Sequence, residues 1–357
     1  MVPASTGRTP PPSTGKDPFD SLTREPDEAP AHGELTAAEQ LAENVPQVEG
    51  CKLLTGNAHP ALTRAIAAQL RCTVGDCQVS HFEDGEVQVR INENIRGLDV
   101  FVIQPTCPPA SNMLELFIML DAVRRASARR VTAVVPYFGY ARQDRKDQPR
   151  VPITAKLMAN LITAAGADRM LTMDLHAPQI QGFFDIPFDH LYAAPVFIEY
   201  FKQQAIRDLV VVAPDIGSVK MARAYAKRLG ADLALVDKRR PQPDSVEVMN
   251  LIGEVQGKNA LLFDDMVTTA RTLTMAAEAL KGMGAREVYA GATHGVLVPG
   301  AAERIRNSPI RELVISDTVP LTADATGPKF KVLSVAPLLA EAIRRIHDER
   351  SLSTLFI

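Results

Sequence analysis

The stretch NALLFDDMVTTARTLTMAAEALKGMG, residues 259–284, decides the fold. Its apolar run, 260–263, ends in two adjacent acids, Asp264 and Asp265. Thr268, Thr269, Ala270, Arg271 and Thr272 follow, and then a helical pattern over 273–280, closed by Gly282 and Gly284. The order is strand, loop, helix. Open α/β sheets bind their ligands at the carboxyl ends of the strands. A helix N-terminus there offers unpaired N–H groups and a positive dipole end, which suit a phosphate. Two acids beside it suit the hydroxyls of a sugar. Read alone, the same residues also fit a plain strand end and a capped helix.

Apolar runs of strand length recur on both sides, at 52–55, 99–104, 131–136, 170–173, 209–213, 233–236, 288–292 and 313–316. Helical patterns separate most of them. In 60–70, Leu62, Ile66 and Leu70 recur at i, i+4 and i+8. Segments 78–80 and 86–91 predict two further strands, joined by the acidic turn HFEDGE around Asp84-Gly85. The alternation predicts an α/β protein of mostly parallel sheets, built twice over, with a junction near Tyr192.

The chain has 357 residues, 46% apolar and 23% charged, with a net charge of −3. That balance is ordinary for a soluble globular protein and does not suggest a general nucleic-acid binder. No apolar run approaches the roughly 18 residues of a membrane span. The four cysteines show no CxxC spacing, which favours reduced thiols in a cytoplasmic protein. Residues 1–47 are rich in Pro, Ser, Thr and acids and are expected to be disordered, with a short helix possible at 35–44. They hold no secretory apolar core, and Asp17, Asp20 and Glu25 argue against a transit peptide.

Several strands end in polar loops. YFGYARQDRKD, 137–147, holds rings for a base and Arg142, Arg145 and Lys146 for phosphates. His176 follows a strand end beside Asp174, where it could meet a metal or a phosphate. Asp215 opens an Asp-x-Gly turn able to present a carboxylate to magnesium. DKRRPQP, 237–243, is a basic loop able to close over an anionic substrate. Each loop also reads as a solvated charge cluster. Together they place acids, bases and a sugar-phosphate loop on one sheet edge, the equipment of phosphoryl transfer.

From about residue 52 to 356 the chain resembles the ribose-phosphate pyrophosphokinase family. The motifs that carry the resemblance are TGNAHP (55–60), FEDGE (82–86), PYFGYARQDRK (136–146), DLHAPQIQGFFDIP (174–187), DKRRPQP (237–243), VMNLIGEV (248–255) and FDDMVTTART (263–272). The last also looks like the phosphoribosyl-binding loop of phosphoribosyltransferase-type folds. The resemblance implies a disordered extension over 1–48, an N-terminal pyrophosphokinase domain over 49–191 and a C-terminal phosphoribosyltransferase-like domain over 192–335. A helix and tail, 336–357, return to the N-terminal domain. The implied reaction moves a diphosphoryl group from ATP to the C1 hydroxyl of ribose 5-phosphate, with Mg2+, for nucleotide biosynthesis.

By position, Phe82, Asp84, Gly85 and Glu86 would hold the adenine from a neighbouring subunit. Arg142, Gln143 and His176 would contact ATP. His176, Asp215 and Asp174 would organise the metal. Lys238 and Arg240 would be catalytic, on a loop closing over the transition state, with Arg240 also touching ribose 5-phosphate. Asp264 and Asp265 would bind the ribose hydroxyls, and Thr268, Thr269, Ala270, Arg271 and Thr272 the 5-phosphate. Asn94, Arg96, Ser351, Ser353 and Phe356 would form a phosphate/ADP regulatory site between subunits of a homo-hexamer.

The chain departs from the family pattern at Thr268, where Asp or Ser is usual, and at Arg271, where Gly is usual. A Gly there allows close approach of N–H groups or a positive φ, which an Arg adopts only at a cost. Arg271 either brings its guanidinium to the phosphate or points to solvent. Ile216 and Ser218 also replace commoner residues. The alternative to an active enzyme is a non-catalytic paralogue that assembles with active subunits. Retention of Lys238, Arg240, His176, Asp215 and the acid pair favours the enzyme.

Overall fold

Short apolar runs between turns form two parallel sheets in the computed structural model, which describes residues 48–239 and 248–356. The extension and the 35–44 helix lie outside the described residues, as does Arg240. In the first half come β1 (Cys51–Thr55), α1 (Pro60–Leu70), β2 (Cys77–His81), β3 (Val87–Ile91), β4 (Asp99–Ile103) and α2 (Ser111–Arg125). Then follow β5 (Arg130–Val135), α3 (Thr154–Ala165), β6 (Arg169–Met173), a 3-10 turn (Pro178–Phe183) and β7 (Phe188–Leu191). The strand order is β1-β4-β5-β6-β7, parallel throughout. β2 and β3 form a separate antiparallel hairpin.

The second half holds α4 (Ala194–Gln203), β8 (Leu209–Ala213), α5 (Val219–Leu229), β9 (Asp232–Arg239), β10 (Val248–Ile252) and β11 (Asn259–Val267). It continues with α6 (Arg271–Gly282), β12 (Glu287–Gly295), α7 (Ala301–Asn307), β13 (Ile310–Ser316), β14 (Phe330–Leu333) and α8 (Ala336–His347). Its order is β10-β9-β8-β11-β12-β13-β14, with only the β10–β9 pair antiparallel.

Parallel strands covered on both faces read as unbroken apolar runs, and all five residues of β4 are buried. α1 starts at Pro60, which has no N–H to lose, and His59 Nδ1 accepts from Leu62 N at 3.4 Å. Leu62, Ile66 and Leu70 then face a core shared with Phe197, Phe263, Leu339 and Ile343, so one apolar core links both sheets and α8. The C-terminal helix is locked by charge as well. Buried Asp99 accepts from Arg130 and lies 3.0 Å from His347 Nδ1, and Arg130 Nη2 donates to Ile346 O at 2.9 Å.

Three strands exceed the sequence expectation. β7 reads FDHL and β14 FKVL, too short and polar for an apolar run. β10 pairs back on β9 after the proline-containing segment. Several expected strands also run on. β9 continues through Lys238, which is paired with Met249, so Lys238 belongs to a strand and not to the loop expected there. Among the described residues no helix is long and apolar enough to cross a membrane, and the four cysteines are free.

Candidate active site

β11 extends past Phe263, pairing Asp264 with Ala292 and Met266 with His294. The two acids are thus strand residues, and neighbours on a strand point to opposite faces. Asp264 turns to the second half. Its Oδ1 lies 3.4 Å from Ser218 Oγ, which donates to Asp215 Oδ1 at 2.9 Å. Asp265 turns to the first half, and its Oδ2 lies 2.8 Å from His176 Nδ1. One dipeptide therefore joins the loops after β8 and β6.

Electrostatics separates the two acids. Burial, the Asp265 charge and the Asp215 charge push the Asp264 pKa up. Burial works the same way on Asp265, but the His176 hydrogen bond and charge outweigh it and hold its pKa down. The same hydrogen bond raises the pKa of His176 against the effect of burial. Arg142 stands close enough to lower both His176 and Tyr137.

The loop after β6 is braced from below. Leu175 N donates to His190 Nε2 at 2.9 Å, and burial lowers the His190 pKa to about 4, so the ring stays a neutral acceptor. His294, also lowered by burial, pairs its Nε2 with Asp174 O at 3.1 Å. A carbonyl only accepts, so Nε2 carries the proton. Asp174 Oδ2 accepts from Ala193 N at 3.0 Å and Thr293 Oγ1 at 2.7 Å, and burial raises its pKa to about 6. Asp174, expected as a metal ligand, thus engages its Oδ2 in tying the end of β6 to β12 and to the start of α4.

The loop after β5 corrects a second expectation. Of the rings in YFGY, Tyr137 packs edge-on against His294 at 5.0 Å and Phe138 against Phe184 at 6.0 Å. Both are buried, which leaves Tyr140 as the ring free to meet a base. Gly139 N donates to Thr106 Oγ1 at 2.8 Å, and a Cβ on Gly139 would stand 2.3 Å from Thr106 O, so the close approach requires glycine. Gln143 Oε1 accepts from Thr154 Oγ1 at 2.5 Å, while Arg142 is exposed.

In the loop from β11 to α6 the left-handed residue is Ala270, at φ 61, and Arg271 is the first residue of α6. Arg271 thus carries no positive φ, and the strain expected of it is absent. The amides of Thr269, Ala270, Thr272 and Leu273 have no acceptor among the described residues. This is an open anion cradle at a helix N-terminus.

The remaining expected residues lie elsewhere. Phe82, Asp84, Gly85 and Glu86 form the exposed tip of the β2–β3 hairpin, where Glu86 N donates to Asp84 Oδ1 at 3.1 Å. Among the described residues no hydrogen bond joins that tip to the acids of β11. Asn94 Oδ1 accepts from Arg96 N at 3.1 Å. Ser351 Oγ donates to Ser353 Oγ at 3.0 Å, and Arg345 clasps Ser351 O and Thr354. Beside this tail lies a cavity of about 450 Å³ lined by Arg130, Arg169, Arg345 and Arg350 among others. The Lys238 and Phe356 side chains lie outside the described set. Sequence reasoning gave no role to Ser218, His190, His294 or Thr293. Each acts through another residue, and no local pattern marks such a role.

Among the described residues no three His, Cys, Asp or Glu side chains form a metal cage. The donor set nevertheless fits a hard divalent cation that takes most of its ligands from substrate phosphates and water. Asp264 and Asp215 crowd acceptor oxygens onto one hydroxyl, and among the described residues no hydrogen bond engages His176 Nε2 while Nδ1 is fixed by Asp265.

Residues 51–166 match the profile described as the N-terminal domain of ribose phosphate pyrophosphokinase, and residues 237–357 the phosphoribosyl synthetase-associated domain. The chain is 57% identical over 307 residues to ribose-phosphate pyrophosphokinase of Caldanaerobacter subterraneus, covering 85% of this chain and 97% of that one. It is 52% identical over 306 residues to the Bacillus subtilis protein of the same name, covering 85% and 96%. The structure is similar to phosphoribosylpyrophosphate synthetase from Mycobacterium smegmatis, with a TM-score of 0.80 and 40% identity over 84% of this chain and 99% of that one.

Proposed function

This chain belongs to the ribose-phosphate pyrophosphokinase family, and from that premise we propose how its residues share the reaction. The protein transfers the diphosphoryl group of ATP to the C1 hydroxyl of ribose 5-phosphate, giving 5-phosphoribosyl 1-diphosphate and AMP for nucleotide biosynthesis. The C1 hydroxyl gives up its proton to solvent as its oxygen bonds to the β-phosphorus, the bond from that phosphorus to the α,β-bridging oxygen breaks, and AMP leaves with that oxygen. Such a transfer needs positioning and charge neutralisation more than covalent help from the protein. The non-catalytic alternative has no support among the relatives.

Asp264 and Asp265 accept hydrogen bonds from the ribose hydroxyls, and the open amides of the 268–272 loop take the 5-phosphate. Arg142 and Gln143 contact ATP, with His176 at its phosphates. Phe82, Asp84, Gly85 and Glu86 serve the adenine of a neighbouring subunit in a homo-hexamer, which accounts for their exposure on a hairpin tip. Lys238 and Arg240 bring positive charge to the group in flight. The reaction is metal-dependent, and the metal assigned here is Mg2+, which His176 and Asp215 would hold. When bound it withdraws charge from the phosphoryl oxygens. Asn94, Arg96, Ser351, Ser353 and Phe356 form the phosphate/ADP effector site between subunits. The setting is the cytoplasm, and the domain limits at 48, 191 and 335 go with this reading.

The observation that carries the reading is the 2.8 Å contact of His176 with Asp265, which joins an ATP-side loop to the sugar-side strand. Purified protein given ATP, Mg2+ and ribose 5-phosphate is expected to release AMP in step with 5-phosphoribosyl 1-diphosphate. A folded, ATP-binding protein that makes no AMP would overturn it.

A further inference from the structure

The phosphate loop is open because its carbonyls are held elsewhere. Val267 O accepts from Leu297 N at 3.0 Å and Thr268 O from Val298 N at 3.1 Å, both from the connection after β12. Ala270 O accepts from Thr274 N at 2.9 Å, and Arg271 O from Thr274 Oγ1 at 3.1 Å. Among the described residues no backbone amide reaches Thr269 O. Its partner is the guanidinium of Arg304, on α7, 35 residues further along the chain.

We propose that Arg304 is a positioning residue for ribose 5-phosphate: it pins the Thr269 carbonyl away from the cradle so that the neighbouring amides face the 5-phosphate. The proposal rests on the reading of 268–272 as the 5-phosphate loop. Thr269 directly precedes the left-handed Ala270, φ 61, where the peptide planes are most free to flip. A carbonyl turned into the cradle would set its negative end against a phosphate dianion. A charge-assisted hydrogen bond to that oxygen favours the outward orientation, and the adjacent positive charge adds to the field felt by the phosphate. Arg304 acts through the loop backbone, so its loss weakens sugar-phosphate binding and spares the ATP side.

The test is steady-state kinetics on Arg304→Met, Arg304→Lys and the loop variant Thr272→Val, with thermal melts to confirm folding. Arg304→Met keeps the alkyl stem and removes the donors. It is expected to raise KM for ribose 5-phosphate about tenfold, with kcat and KM for ATP close to wild type. Arg304→Lys, which keeps a cation, falls between the two. If Thr272→Val raises the ribose 5-phosphate KM and Arg304→Met does not, Arg304 has no positioning role and the loop reading stands. If neither variant changes it, the loop reading fails and the proposal with it. An equal rise in both KM values for Arg304→Met would mark a general structural role and also overturn the proposal.

Discussion

Two strand–loop–helix units share the same build, β1 to α1 at an edge of the first sheet and β11 to α6 at the centre of the second. In the first, the loop consumes its own donors. Gly56 N donates to Ile103 O at 3.2 Å, Asn57 N to Glu115 Oε2 at 3.1 Å and Ala58 N to Gln104 Oε1 at 3.1 Å. Buried Glu115 also accepts from Asn57 Nδ2 at 3.0 Å and Gln104 Nε2 at 2.9 Å. In the second, the carbonyls are consumed and the amides stay open. The same local architecture thus makes a closed joint in one place and a ligand cradle in the other. What separates them is whether acceptors or donors are left over.

That contrast can be broken or sharpened by substitution. The largest effect is expected from Lys238→Ala, which removes the charge that the open side needs at the moment of transfer. Its kcat should fall about a thousandfold or more, with modest change in the ATP KM. A near-normal kcat would take Lys238 out of the mechanism. Next comes Glu115→Gln on the closed side, whose amide nitrogen must face at least one of the three donors that the carboxylate accepts from. Urea unfolding should show about 2 kcal/mol of lost stability while kcat/KM stays near wild type. Lost activity at unchanged stability would mean that the first loop is a working site after all. The smallest effect belongs to Arg271→Gly. Its exposed guanidinium should help the 5-phosphate by no more than a surface ion pair, so KM for ribose 5-phosphate should rise about threefold. A lower KM would make Arg271 an obstruction instead.

Much of this was legible in the residues. Buried parallel strands are unbroken apolar runs, so β4, β5, β6 and β8 appear in the sequence nearly at their observed limits. The acid pair and the Thr-rich loop are contiguous and stand out for the same reason. Strand ends were less legible, because pairing continues through polar residues once a neighbour supplies the ladder, as at Asp264 and Lys238. Arg271 shows the limit of pattern reading. Its substitution for Gly suggests strain, yet the left-handed turn falls one residue earlier, on Ala270. Tyr137 and Phe138 read as base-stacking rings and are core, since composition does not say which way a ring points. The Asp174–His294–Thr293 brace spans 120 positions of sequence, and only folding brings it together.

The alternation at Asp264 and Asp265 has a consequence for how this protein can change over time. Because the two acids reach opposite partners only through the pleat of β11, their division of labour is stored in register, not in side-chain chemistry. Exchanging one acid for another residue alters one partner. Inserting or deleting a single residue upstream in β11 would flip both acids at once, sending Asp264 toward His176 and Asp265 toward Ser218. Length variation among descendants of this chain should therefore gather in the connections and avoid the nine residues of this strand, even where substitutions in it are harmless.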